Sequence, residues 1–306
     1  MDFFIRKRDN IYIILVGGLG NQLFLYAFGR GIAEQRNGQL VLDTSFFRSE
    51  QYSVAKDGSL RTYGLDTLLA RATPAGQRAR WMLTLARKCS RSQLLTALWN
   101  HTVGTVGPRL VVDTLDSIKL EGLPEYGSLI MEGYWQSYHH FQRLRPALLE
   151  ELKPRDMALR AAQQSYVDQV RAAPGGTGEV ISLHVRRGDY VTADVGLVVQ
   201  PVADIERRIA KFDALTPIIV FSDDPDWCQA HFNTPRFHIR RGHSAVADLY
   251  AMSLCDHNII ANSSLGWWGA WLNQNPNKRV IVPNSWFAGD FPNWRERLVL
   301  PGWEIV

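Results

Sequence analysis

The chain has 306 residues, enough for two ordinary domains, and its 46% apolar and 11% aromatic content excludes a disordered chain. A net charge of +4 with a pI near 9.0 suits an anionic ligand, but there is no dense basic stripe of the kind nucleic acid demands. The three cysteines, Cys89, Cys228 and Cys255, form no Cys-x-x-Cys pair, which argues against a zinc site and for a reducing compartment.

Arg6, Lys7 and Arg8 precede only a short apolar run that ends in glycines, too brief for a secretory segment or a membrane span, so a soluble, cytoplasmic protein is expected. Ile11 to Val16 reads as the first strand. It runs into Gly17-Gly18-Leu19-Gly20-Asn21-Gln22, and Leu25, Phe28 and Ile32 follow at helical spacing. Gly18 and Gly20 let the backbone approach a ligand, and the helix start offers N–H groups to an anion. The spacing is neither a dinucleotide fingerprint nor a Walker loop, and an ordinary tight turn is the alternative. Leu40 to Leu42 is a second strand, and Phe46 to Gly64 is polar and irregular.

From Gln77 to Arg91 an amphipathic helix is expected, with Arg80, Thr84, Arg87 and Arg91 on one face and Trp81, Met82 and Leu85 on the other. Its charged face is either simply solvated or a contact for an anionic membrane surface or lipid-linked acceptor. Leu129 to Tyr134 is a strand leading into Trp135-Gln136-Ser137-Tyr138, and Phe141, Leu144 and Leu148 mark a helix. A domain boundary is placed near residue 155, ahead of the punctuating Pro174-Gly175-Gly176-Thr177-Gly178.

The second half alternates. Strands at Val180–Val185, Pro217–Phe221, Phe237–Ile239, Asn258–Ala261 and Val280–Val282 are separated by helical patterns near 202–212, 225–232, 246–255 and 265–273, which calls for a parallel sheet between helices. The first of these strands, containing His184, stops at Arg186-Arg187-Gly188-Asp189. Guanidinium forks match phosphate oxygens in pairs and Asp189 is close enough to hold one fork in place, so this strand end outlines a pyrophosphate site, with a solvated turn as the alternative. Val220-Phe221 ends in Ser222-Asp223-Asp224, where paired carboxylates can accept from guanine, cap the next helix or hold Mg²⁺. Asn262-Ser263-Ser264 opens another helix, as the second half of an anion cradle or as a plain N-cap. All three sets fall at carboxyl ends of strands in one parallel sheet, where open α/β sheets bind ligands, and a nucleoside diphosphate fits them jointly.

Five motifs in order then resemble a family. Gly17 to Phe24, Glu132-Gly133-Tyr134-Trp135-Gln136-Ser137, His184 to Tyr190, Val220 to Asp224, and Asp248 to Ser253 with Asn262 to Asn273 are similar to the ordered motifs of the α-1,2-fucosyltransferases of glycosyltransferase family 11. The resemblance spans most of the chain. It implies a GT-B-type α/β fold of two facing Rossmann-like domains with a cleft between them: an acceptor-side domain over 1–155 and a GDP-fucose-binding domain over 156–306. It further implies inverting transfer of L-fucose from GDP-β-L-fucose to the 2-hydroxyl of a terminal galactose, with neither metal nor other cofactor. On the matching motif positions, Arg187 would contact the diphosphate, His184 and Arg186 would line the same loop, and Asp189 would orient them. Asp223 or Asp224 would read guanine, Ser263 and Ser264 beside Asn262 would bind phosphate, and Asn21 would meet the sugar-phosphate end. Leu23, Leu25 and Leu265 depart from residues common in the family, which bears on the acceptor pocket rather than the donor site.

As the fucose–oxygen bond breaks, negative charge grows on the leaving GDP, so fixed arginines favour the transition state over the ground state. No dedicated general base stands out: Asp189 is chemically able but better suited to a structural role, and the sequence does not rank acidic residues of the N-terminal half such as Glu132. An α-1,6-type fucosyltransferase shares the arginine loop, but the run Trp267-Trp268-Gly269-Ala270-Trp271 favours the α-1,2 group. A non-catalytic nucleotide-binding module is the reading from another class.

Overall fold

The computed structural model describes residues 8–48, 54, 60–113, 123–124, 126–192, 196–289, 291 and 293–306. The first seven residues, and much of the polar stretch before Gly64 in which no element was expected, lie outside these. Two compact units result: Met1–Ser53 with Arg61–Tyr63 and Ala70–Glu151, and Leu152–Val306 with Val54–Leu60 and Gly64–Leu69.

The first unit holds a wholly parallel sheet of order β3-β2-β1-β5-β4, formed by Asn10–Ile14 (β1), Gln39–Asp43 (β2), Thr73–Pro74 (β3), Arg109–Val112 (β4) and Leu129–Glu132 (β5). Leu19–Gln35 (α1) starts inside the expected glycine loop, so Gly20 and Asn21 belong to its first turn. Leu23 to Phe28 are all fully buried, which makes α1 a core helix rather than one with a single apolar stripe. Gly29 sets its distance from the sheet: a Cβ there would lie 2.6 Å from side-chain carbons of both Ile13 and Leu40. The helix ends ahead of Asn37, which takes a left-handed conformation at φ 49°.

The opposite face of this sheet is covered by Gln77–Cys89 (α2) and Gln93–His101 (α3), whose Leu83, Ala86 and Trp99 join Ile14, Val41, Leu110 and Ile130 in one core cluster. Val103–Val106 (α4) and Arg145–Glu151 (α5) complete the unit's helices among the described residues. The face expected for α2 needs correction. Trp81 is 77% exposed and Leu85 is also exposed, while Leu83 and Ala86 are buried and Ala79, Met82 and Cys89 pack behind them. The apolar stripe Ala79-Met82-Leu83-Ala86-Cys89 sets the phase, and Arg87, half-buried beside it, lies 3.8 Å from Glu132 with its guanidinium 5.7 Å from the Phe46 ring centre.

The second unit carries a parallel sheet of order β11-β10-β9-β6-β7-β8, made by Ile181–Val185 (β6), Ile218–Ser222 (β7), Phe237–Ile239 (β8), His257–Ile259 (β9), Val280–Val282 (β10) and Glu304–Ile305 (β11). Its helices are Met157–Arg171 (α6), Gly188–Thr192 (α7), Val202–Ile209 (α8), Pro225–His231 (α9), Ala245–Leu254 (α10), Ser264–Leu272 (α11) and Trp294–Leu298 (α12). The expected alternation is met, strand for strand, from β6 to β10. Ile181, Leu183 and Val185 of β6 pack with Ile205 and Ile209 of α8, whereas α6 and α10 cover Ile219 and Phe221 of β7 with Val167, Val170, Ala251 and Met252. Period-2 alternation thus leaves Ser182 and His184 facing away from the Ile181 cluster.

α11 is apolar all round, the mark of a buried helix. Trp267, Trp268 and Trp271 are at most 1% exposed, and Trp267 and Trp268 meet edge to face with centroids 5.1 Å apart. Trp267 Nε1 donates to the Leu298 carbonyl at 2.6 Å. Buried Trp side chains bring large contact area at specific ring geometry, so this helix is fixed against α10 and α12 and its N-terminus has a defined aim.

Candidate active site

In the second unit β9, β6 and β7 are adjacent and parallel, so the segments leaving their carboxyl ends are neighbours. The Tyr190 hydroxyl ties two of them together by donating to the Asn262 carbonyl at 2.9 Å.

The two arginines after β6 have different jobs. Arg186 is held on both sides, by Asp189 at 2.6 Å and Asp223 at 2.8 Å. Arg187 donates its backbone N–H to Asp223 at 2.9 Å and its Nε to Asp224 at 3.2 Å, and its guanidinium carbon sits 4.0 Å from the centre of the Trp227 ring. Only 18% of its side chain is exposed, and its two terminal nitrogens have no protein partner among the described residues. A guanidinium desolvated on one face, oriented through Nε and left with a free pair of N–H forks is built to take an oxyanion. Asp189 holds one fork, as expected, but the expectation that it also orients Arg187 is corrected. Asp189, three residues on in the first turn of α7, reaches Arg186, and Arg187 is oriented by Asp224 and Trp227 instead.

The carboxylates Asp223 and Asp224 are both engaged with these arginines. Asp224 is also the N-cap of α9, its Oδ1 accepting from the Trp227 N–H at 3.1 Å, as one of the alternatives required. Trp227 was not legible as a site residue, although its place three residues after the capping aspartate follows from the helix that the cap begins.

Ser263 occupies the N-cap position of α11, yet its hydroxyl does not cap the helix. The first-turn N–H groups, including that of Ser264, therefore point out of the helix end with the dipole behind them. Asn262 serves elsewhere: its Nδ2 donates to the carbonyls of Val198 at 2.9 Å and Trp286 at 2.8 Å, bracing the strand end. His184 is 7% exposed and lies under Gly266, where a Cβ would approach its Nδ1 to 2.6 Å. Burial, and then the charge of Arg186, lower its imidazole to about 3, so it is neutral and lies beneath the arginine loop.

In the first unit the loop from β1 to α1 is fastened by a residue the sequence reading had not singled out as a site residue. Gln22, fully buried, donates from Nε2 to the carbonyls of Gly17 at 3.1 Å and Thr62 at 2.8 Å. Gly17 has φ +78°, and a Cβ there would come within 2.7 Å of the Asn21 amide nitrogen. Asn21 Oδ1 accepts from Gln136 Nε2 at 2.9 Å. Arg61 brings a guanidinium nitrogen to 3.2 Å from where a Gly18 Cβ would stand, adding positive charge at the start of α1. Nothing in the sequence marks Arg61, which sits in the irregular polar stretch.

Three acidic residues end strands of this sheet or follow them: Asp43 at the end of β2, Asp113 after β4 and Glu132 at the end of β5. Asp43 is bound by Ser45, and Asp113 accepts from the Trp135 N–H at 2.8 Å. Glu132 differs, because its Oε2 is buried without a hydrogen-bond partner among the described residues. Burial pushes its carboxyl above the ordinary carboxylate range; Arg87 opposes the rise and Asp43 adds to it.

Comparison with known proteins follows the same lines. The chain is 28% identical to the O-antigen biosynthesis glycosyltransferase WbnK of Escherichia coli, over 96% of this chain and 99% of that one. It is 29% identical to an α-1,2-colitosyltransferase of Escherichia coli, over 89% and 91% of the two chains. In fold it is similar to the crystal structure of the fucosyltransferase NodZ from Bradyrhizobium, with a TM-score of 0.50 at 14% identity, covering 86% of this chain and 93% of that one. The two Rossmann-like parallel-sheet units are those of a GT-B-type α/β protein. The sequence profile of glycosyl transferase family 11 matches residues 118–306, the part that holds the arginine loop, the Asp223-Asp224 pair and the N-terminus of α11, and the chain belongs to that family.

Proposed function

We propose that the protein transfers L-fucose from GDP-β-L-fucose to the 2-hydroxyl of a terminal galactose, with inversion at the sugar carbon. The observation that carries this reading is the pair of terminal nitrogens on Arg187, unpartnered among the described residues and oriented by Asp224 and Trp227, at the same sheet edge as the uncapped start of α11. That set suits a diphosphate. The motif resemblance supports fucose as the sugar, and the α-1,2 linkage named for the colitosyltransferase supports attack by a 2-hydroxyl.

In the reaction the acceptor oxygen bonds to the anomeric carbon as the bond from that carbon to the β-phosphate oxygen breaks, and GDP leaves with the electron pair. Arg187 and the α11 N–H groups meet the charge that develops on the diphosphate, an interaction stronger in the transition state than in the ground state. We assign the acceptor proton to Glu132, whose desolvated carboxyl has a raised pKa and an oxygen without a hydrogen-bond partner among the described residues. Asn21, in the glycine loop, is assigned to the sugar end. No divalent cation is required, because Asp223 and Asp224, the carboxylates that would hold one, are already neutralised by Arg186 and Arg187.

The test is an acceptor panel of galactose-terminated glycans with GDP-fucose as donor, the product linkage read by NMR. Transfer to the galactose 2-hydroxyl is expected. Transfer only from GDP-colitose, whose sugar is a 3-deoxy analogue of fucose, would overturn the sugar assignment. GDP binding with neither transfer nor slow donor hydrolysis would identify a non-catalytic nucleotide-binding module.

A further inference from the structure

From Thr67 to Val112 the sequence contains seven arginines and lysines and no aspartate or glutamate, so the rest of this +4 chain is net negative. The same stretch forms α2, α3 and α4, which leave Trp81, Leu85, Leu94, Leu95, Leu98, Val103 and Val106 in solvent. Seven of the sixteen exposed large apolar side chains of the described residues thus sit on three consecutive helices, and scattered single exposures do not produce that concentration. Trp81 and Leu94 are each 77% exposed and Val106 is 95% exposed.

The spacing is ordered. Trp81 and Leu85 lie one turn apart on the solvent side of α2, with Arg78 one turn before and Lys88 one turn after, both exposed. Leu94 and Leu98 repeat the interval on α3, whose single buried residue is Trp99. Arg91 lies exposed between the two helices. A second copy of the chain is a poor occupant, since a two-fold contact would set this basic patch against itself. An anionic bilayer supplies what is missing: an apolar layer for tryptophan and leucine, and phosphates above it for the cations.

We propose that α2, α3 and α4 form a peripheral docking surface for an anionic lipid bilayer. Trp81, Leu94 and Leu98 enter the headgroup region, and Arg78, Lys88 and Arg91 meet lipid phosphates. The surface is independent of the donor chemistry assigned above, and its test does not depend on that assignment.

The test is co-sedimentation of the whole chain with vesicles of phosphatidylcholine alone and of phosphatidylcholine mixed with phosphatidylglycerol. Binding to the mixed vesicles only, weakening as salt is raised, is expected. Each cation removed by Arg78→Gln, Lys88→Gln or Arg91→Gln should weaken binding roughly fivefold, and Trp81→Asp with Leu94→Asp should abolish it. Because these side chains are exposed, melting temperatures should stay near that of the parent chain. No binding to the mixed vesicles, equal binding to neutral vesicles, or binding indifferent to these substitutions would overturn the proposal. So would a concentration-dependent dimer in solution that Trp81→Asp disperses.

Discussion

The guanidinium of Arg187 rests 4.0 Å from the centre of the Trp227 ring while Asp224 receives its Nε, and the two contacts together fix the plane in which its remaining N–H groups point. Arg187→Lys keeps the charge and loses both the planar fork and the stacking. Turnover should fall about a hundredfold or more, equivalent to roughly 3 kcal/mol of transition-state stabilisation, with little change in melting temperature. Trp227→Leu should give a smaller loss of the same kind. A well-folded Arg187→Lys protein with near-normal turnover would return this loop to the solvated-turn reading.

Arg186 should behave differently. Its nitrogens are committed to Asp189 and Asp223, so Arg186→Lys should disturb the loop itself, lowering melting temperature and GDP affinity together. Calorimetry of GDP binding alongside thermal melts separates the two arginines. A loss of turnover with unaltered stability and GDP affinity would place Arg186 with Arg187 as a direct phosphate ligand.

Asn21→Ala should lower turnover far more than GDP affinity, since the glycine loop is assigned to the sugar end of the donor. Equal losses in binding and turnover would make Asn21 a determinant of nucleotide binding.

For Glu132 the sign of the pH dependence is fixed by its role. A base works as the carboxylate, and burial raises the pH at which that form appears, so kcat should fall as pH drops through a limb lying above the ordinary carboxylate range. Glu132→Gln should flatten that limb and leave GDP affinity intact. In stability the same raised pKa acts the other way: the contribution is fully present below the unfolded value of 4.5 and is lost as pH rises through the folded value. Persistence of the limb in Glu132→Gln would remove Glu132 as the base.

Gly266→Ala would bring a Cβ to 2.6 Å from the buried His184 ring, which is anchored on a central strand and has little room to move. A destabilisation of roughly 1–3 kcal/mol is expected, with weaker GDP binding as the start of α11 is displaced. Adding His184→Ala should restore part of both. Absence of any rescue would mean that the strain is taken up elsewhere along the helix.

The sequence by itself determined the architecture of the second unit and the identity of its polar strand ends. β6 to β10 and the helices between them follow from short β-branched runs, helical spacing and the residues that cap each helix, all local signals. The first unit was less legible. α1 is buried on every side, so its pattern does not reveal which face meets the sheet, and β3, β4 and α3 are too short or too weakly patterned to stand out. Of the pairing, only the local one, Asp189 holding a fork of the arginine loop, was legible. Which carboxylate holds which arginine depends on β6 and β7 lying side by side in one register, with His184 opposite Phe221 and Val185 opposite Ser222. That register brings Asp223 and Asp224 to Arg186 and Arg187, and leaves Asp189 to the arginine three residues before it. The phase of α2 was likewise decided in three dimensions, where Leu83 and Ala86 meet the sheet core and Trp81 is left in solvent. Composition ranks a tryptophan first for burial, but a helix buries the whole stripe that fits the sheet, and here that stripe carries small and aliphatic residues while Trp81 stands on another face.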